Sequence, residues 1–229
     1  MRISELSAAS QVPIPTIKYY LREGLLPQGA QVSATRAVYD ESHLRRLRLI
    51  RALADVGRLP LASIRKVVAA VEDEELDVHT MLGVAHHALS PDVEPHPEDD
   101  DWRAAREQVD ALIRENGLNI APDAPTPDEL AQSIVLLARL DMPTSPESLR
   151  PYIAAARELV IGFEVRQIDY AGPRDRTVER MVIGTVLYGK IFDVLRRMFQ
   201  ESASAEVAAE ASSKASAEVS TETSGTITR

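Results

Sequence analysis

The sequence predicts a mainly α-helical fold with one short two-stranded excursion near its start, and three observations carry that reading. Apolar residues recur at spacings of three and four through most of the 229 residues, the period of helices that bury one face. Helix punctuation recurs too, with Pro15, Asp40, Pro60 and Pro146 at openings and Gly24, Gly57 and Gly117 at ends. Past Tyr39 no segment alternates in the manner of a strand.

The first helix is expected over Ile3 to Ser10, with Ile3, Leu6 and Ala9 on one face. The second opens near Pro15, where the missing N–H costs nothing, and Ile14, Ile17 and Leu21 form its buried stripe. Gly24 suits the left-handed residue after a helix, and Leu25 the apolar contact that follows. Two helices so joined have the shape of a helix-turn-helix. Pro27 to Tyr39 is polar and small, and reads as a two-stranded wing. Asp40 can cap a helix running to Val56, with Leu44, Leu47, Ile50, Leu53 and Ala54 inward and Arg45, Arg46, Arg48 and Arg51 outside or at the rim. Pro60 opens a fourth helix on Leu61, Ile64, Val67 and Val68, and a fifth is expected from Asp73 to Leu89.

Ser90 to Asp101 holds three prolines and six acidic residues, the composition of a linker. Beyond it come a helix with Trp102, an apolar anchor, and one opened by the capping box Thr126-Pro-Asp-Glu129 and ending near Leu140. A longer helix is expected from Ser145-Pro146 to Tyr170. The last, Asp175 to Phe199, sets Val178, Met181, Thr185, Tyr188, Phe192, Leu195 and Phe199 at alternating spacings of three and four, a seam suited to a partner helix. From Glu201 on, 11 of 29 residues are Ser or Thr, too polar to offset ordering entropy, so the tail is expected to be disordered, with transient helix in its alanines.

Charge narrows the function. The chain has a net charge of -9, yet residues 1–71 carry +6 and the remainder -15. A basic head on an acidic body fits one module that faces nucleic acid and another that stays off it. With no cysteine, disulfides, thiolate metal sites and thiol redox sensing are excluded. No apolar signal segment or membrane span is legible, so a cytoplasmic location is expected. The run Val12 to Leu26 points the same way. Its helix packs on one side and leaves Thr16, Lys18, Tyr19 and Arg22 on the others, residue types that contact phosphate, sugar and base edges in a major groove.

The head resembles the MerR family of transcriptional regulators. The resemblance rests on Ile3-Ser-Glu-Leu6, Thr16-Ile-Lys-Tyr-Tyr20, Gly24-Leu-Leu-Pro27, Tyr39-Asp-Glu41, Leu47-Arg-Leu-Ile50 and Leu61-Ala-Ser-Ile64, in the family's order. It implies a winged helix-turn-helix, a homodimer held by an antiparallel helix after the head, and double-stranded promoter DNA that is bent and untwisted. It further implies that Thr16, Lys18, Tyr19 and Arg22 face DNA from the recognition helix. Arg36 and Tyr39 of the wing would reach backbone or minor groove, with Arg45 nearby. Three departures stand out: Thr35-Arg-Ala-Val-Tyr39 where the family often has Gly-Tyr-Arg-x-Tyr, Leu21 where it has Glu, and a turn at Val12-Pro-Ile-Pro without the usual Gly or cap. The C-terminal part is loosely similar to the helical ligand domains of TetR-like regulators, on Ile183-Gly-Thr-Val-Leu-Tyr188 and Leu195-Arg-Arg197.

The expected organisation is therefore a winged helix-turn-helix over 1–71, a dimerisation helix over 72–90, a linker over 91–101, an all-helical effector or interaction domain over 102–200 and a disordered tail over 201–229. Core packing and DNA contact remain open for Tyr20, and phosphate contact and a solvated surface for Arg45. Glu164, in the apolar stretch Leu159 to Val165, is the candidate to balance a cationic ligand; the alternative is a solvated or arginine-paired carboxylate. His79, His86 and His87 lack a further ligand at metal spacing, and no phosphate cradle or nucleophile elbow is present, so neither metal, cofactor nor catalysis is expected. The function expected is sequence-specific transcriptional regulation on an inverted repeat, with a small-molecule effector or RNA polymerase as further partners. The competing class is a ligand-sensing or protein-interaction module whose basic head is only a DNA adaptor.

Overall fold

The computed structural model describes residues 1–33, 36–142 and 144–225, with side chains through residue 209. It is mainly α-helical. Chain contacts divide it into Met1–Gly184 and Thr185–Arg229.

Helix α1 (Ile3–Ser10) and helix α2 (Ile14–Arg22) are joined by a turn that does without glycine. Gln11 takes the left-handed conformation instead, at φ 57°, a placement that costs roughly 1–2 kcal/mol outside glycine. Two serines offset it: the Ser7 hydroxyl donates to the Val12 carbonyl at 2.6 Å, and Ser10 Oγ accepts from the Val12 N–H at 3.3 Å. That need explains a difference from expectation in α1, where Ser10 is buried with Leu6 while Ala9 is exposed. At the far end of α2, Gly24 stands at φ 71°, and the Tyr20 carbonyl accepts from the N–H groups of Leu25 and Leu26. Both leucines are thereby driven into the core.

Strands β1 (Ala30–Ser33) and β2 (Arg36–Val38) pair antiparallel as the wing. Gly29 is required there, because a Cβ would meet the Val38 carbonyl at 2.8 Å and the Tyr39 ring at 2.9 Å. Thr35, part of the wing motif, lies outside the described residues. Helix α3 (Glu41–Arg51) is capped by Asp40, whose carboxylate accepts from the backbone N–H of Ser42 and His43. It runs on into a wider π turn over Ala52–Val56. Helix α4 (Leu61–Glu72) follows Pro60 as expected. Helix α5 (Val78–Leu89) starts later than expected, because residues 73–77 form a turn and Asp77 caps the helix at Thr80.

Two buried clusters hold the head together. Leu6, Val12, Ile17, Leu26, Tyr39, Leu44 and Leu47 form the first, and Tyr20 bridges to the second. That second cluster takes Leu49, Ile50, Leu53, Ile64, Val67 and Val68, then Met81, Leu82 and Ala85 of α5, and finally Val178, Met181 and Val182. Those last three belong to the first turns of helix α9 (Arg174–Gly225). Helix α5 packs Met81, Leu82 and Ala85 on the head of its own chain. One expectation is corrected here: the seam expected along the final helix is split, its start being core. Arg174 pins the junction, its guanidinium donating to the carbonyls of Ala70, Val71, Asp73 and Leu76 at 2.8–3.0 Å. These include carbonyls of the last turn of α4, which the helix itself leaves without donors.

Helix α6 (Asp100–Glu115) and helix α7 (Thr126–Arg139) share a separate core of Trp102, Ala105, Val109, Ala131, Ile134 and Val135. Thr126 is helical rather than a cap, since Pro125 already has helical φ and ψ, so the expected capping box is not made. Helix α8 (Pro146–Gly162) buries no residue and stops at Gly162, short of Tyr170, with only a 3₁₀ turn over Glu164–Gln167 beyond. Past residue 200, where disorder was expected, α9 continues as helix to Gly225. Alanine and glutamate favour that backbone, while residues 201–209 are exposed throughout, so no core supports that stretch. Residues 226–229 of the expected tail lie outside the described residues.

Candidate nucleic-acid interface

Helix α2 turns on Ile17, which is fully buried and fixes which residues face out. Lys18 and Arg22 are exposed, one helical turn apart. Tyr19 lies between them, and the Arg22 guanidinium carbon sits 5.5 Å from its ring centroid, a cation–π contact that holds both side chains at the surface. Thr16 is half-buried in the first turn. Tyr20 turns inward against both core clusters, and its burial, with the charge of Asp55 as a lesser cause, pushes its phenol above the ordinary value. Of the alternatives for Tyr20, packing is the one realised.

An open groove of about 640 Å³ joins this helix to the wing. Arg2, Lys18 and Arg36 line it with Ile3, Ser4, Ala37 and Tyr39. Three cations therefore surround one concavity whose lining holds no carboxylate. Arg36 is exposed on β2, but Tyr39 is 6% exposed and stacks edge-on against His43 at 5.2 Å. Its ring is an interior group that shapes the groove floor. The wing's contribution to the surface thus passes to Arg36, and the groove gains Arg2, which sequence reasoning missed. A cation immediately ahead of the first helix was the available signal. The Tyr39 N–H donates to the Met1 carbonyl at 2.8 Å, and this pairing brings residue 2 beside the wing.

The arginines of α3 are arranged differently. Arg45 Nε donates to Asp175 at 3.3 Å, Arg46 to Glu72 at 2.8 Å, and Arg51 to the Ser10 carbonyl at 2.9 Å. Arg48 is exposed and lies in the field of Glu179, whose carboxyl is nonetheless raised because burial outweighs that attraction. By contrast, Lys18 and Arg36 make no ion pair among the described residues.

A second concavity of about 900 Å³ lies between α6 and α8. Ala104, Ala111, Leu149 and Ile153 give it apolar patches, with Glu107, Glu115, Glu147, Arg150 and Arg157 also on its wall. Gln108 also lines it, and its buried Nε2 has no hydrogen-bond partner. Glu164, the residue expected to balance a cationic ligand, is half-buried in the 3₁₀ turn and does not line this cleft.

Residues 1–71 match the family model described as MerR HTH family regulatory protein. Among solved structures, the chain is similar to SCO5550 of Streptomyces coelicolor A3(2), a candidate transcriptional regulator. The two are 38% identical, the match covers 90% of this chain and 97% of that one, and the TM-score is 0.71. No curated protein matches.

Proposed function

This chain belongs to the MerR HTH family of regulatory proteins, a DNA-binding group of transcriptional regulators, and we propose that it acts as a homodimer reading an inverted-repeat promoter site. Helix α2 enters the major groove, where Thr16, Lys18, Tyr19 and Arg22 meet base edges and phosphates. Arg36 of the wing presses on the adjoining backbone. The single observation behind this reading is the groove that collects Arg2, Lys18 and Arg36 without a carboxylate among its lining residues. Cations so placed are available to neutralise phosphate, and neutralisation releases condensed counterions from the duplex. Footprinting on the DNA upstream of the chain's own coding region tests the proposal. Two protected half-sites related by a dyad, centred a whole number of ~10 bp turns apart, are expected. Binding that ignores salt, or no binding to any such site, overturns it.

Control through the helical part belongs to the same proposal, because the α6–α8 cleft offers Gln108 Nε2 a donor's place for a small-molecule acceptor. Thermal-shift screening of the full chain is expected to find a stabilising compound whose effect disappears in Gln108→Leu. An unchanged response in that variant would rule the cleft out as the control site.

A further inference from the structure

Helix α9 is built in two parts with different surroundings. Val178, Met181 and Val182 are sealed in the head. Within Thr185–Arg229, the apolar residues Leu187, Ile191, Phe192, Leu195, Met198 and Phe199 are instead between 40% and 74% exposed. At 100° per residue those six fall within about 140° of the helix circumference. Lys190, Asp193 and Arg197 lie on the opposite side. Across that charged back a single carboxylate is shared, Asp193 pairing with Lys190 at 3.9 Å, Arg196 at 3.4 Å and Arg197 at 3.3 Å. A helix with a charged back and a wide uncharged stripe in front is half of an interface.

We propose that this stripe packs against the same stripe of a second copy, antiparallel, with Leu195 at the two-fold axis. The inference rests on the homodimer reading above and names the helix that makes the contact. The family resemblance assigns that role to the helix after the head, but α5 has Met81 and Ala85 fully buried in its own protomer. Area fits a second copy. Taking about 200 Å² for a large apolar side chain, half of six such residues is roughly 600 Å² per protomer and 1,200 Å² for two, the lower bound of a stable interface. Charge fits as well, because an uncharged stripe meets itself with no like charges opposed. The spacing supplies the register. Apolar residues stand three and four places on either side of Leu195, so antiparallel pairing sets Ile191 near the partner's Phe199 and Phe192 near the partner's Met198.

The absence of cysteine from the sequence makes a clean test. Full-length protein carrying Leu195→Cys is oxidised mildly at a concentration where wild type is sized by light scattering. Near-complete covalent dimer is expected. Ile191→Cys, tested alone, is expected to stay uncrosslinked, since antiparallel pairing separates the two copies of that position by about 12 Å along the helix, beyond the ~7 Å reach of a disulfide. Leu195→Asp should raise the dimer dissociation constant at least 100-fold with circular dichroism unchanged. A wild-type dimer in which Leu195→Cys does not crosslink overturns the α9 contact and leaves the homodimer standing. Crosslinking of both variants overturns the antiparallel register. A wild-type monomer overturns the homodimer reading and this inference together.

Discussion

The cations of the head fall into two sets with opposite fates. Three of the four on α3 reach acids or carbonyls distant in sequence, Arg45 to Asp175, Arg46 to Glu72 and Arg51 to Ser10, and so tie α3 to α9, α4 and α1. Those of the α2–wing face, Lys18 and Arg36, open onto the groove without a carboxylate in reach. Both sets are basic by composition, yet only one keeps its charge free for an anion outside the chain. Net charge marks the head, while pairing decides which part of it can hold phosphate.

The largest effect that sharpens this contrast is on binding. Lys18→Ala combined with Arg22→Ala should weaken operator DNA by ~1–3 kcal/mol for each side chain removed, about 5- to 150-fold apiece, with the melting temperature unchanged. Competitive gel shifts and a thermal melt measure the two arms, and a variant that melts early would make those residues structural. Next is Arg174→Ala, which strands carbonyls of Ala70, Val71, Asp73 and Leu76. A loss of ~2–3 kcal/mol is expected, read as roughly 5–10 °C in the melting temperature for a chain of this size.

Smaller still is Arg46→Ala. Its side chain is 11% exposed and paired with Glu72, so stability should fall by about 1 kcal/mol while DNA affinity moves less than twofold. A larger affinity loss, at unchanged stability, would move α3 into the DNA-facing set. The smallest effect is one of pH. Asp40 accepts from the Ser42 hydroxyl, His43 and backbone N–H groups, and these hold its carboxyl well below the usual carboxylate range. A folded value below the unfolded one adds stability that is present above about pH 4 and lost as the pH falls further. Asp40→Asn, which can still cap α3, should flatten that part of the stability profile measured by urea melts between pH 5 and 2.

Much of the head was legible because its signals are local. Pro15 opening α2, Gly24 at positive φ after it and Asp40 capping α3 each act within a turn of their own position, and the structure keeps all three. Residues whose surroundings were not legible depend on distant partners. Tyr39 looked available from its place in the wing, but its ring fills the space between α1, α2 and α3. Arg45 could be read either way because Asp175 lies 130 residues on. The same reason hid the split in α9. A spacing of three and four says that a face is apolar, and is silent on whether the head or another helix covers it.

The salt dependence of operator binding, measured for wild type, Lys18→Ala and Arg46→Ala side by side, separates the two sets of cations at the DNA itself. Log K should fall linearly with log salt, Lys18→Ala should lower the slope by about one, and Arg46→Ala should leave it unchanged. An unaltered slope in Lys18→Ala, or a reduction in Arg46→Ala instead, would contradict the assignment of the α2–wing face as the surface that meets DNA.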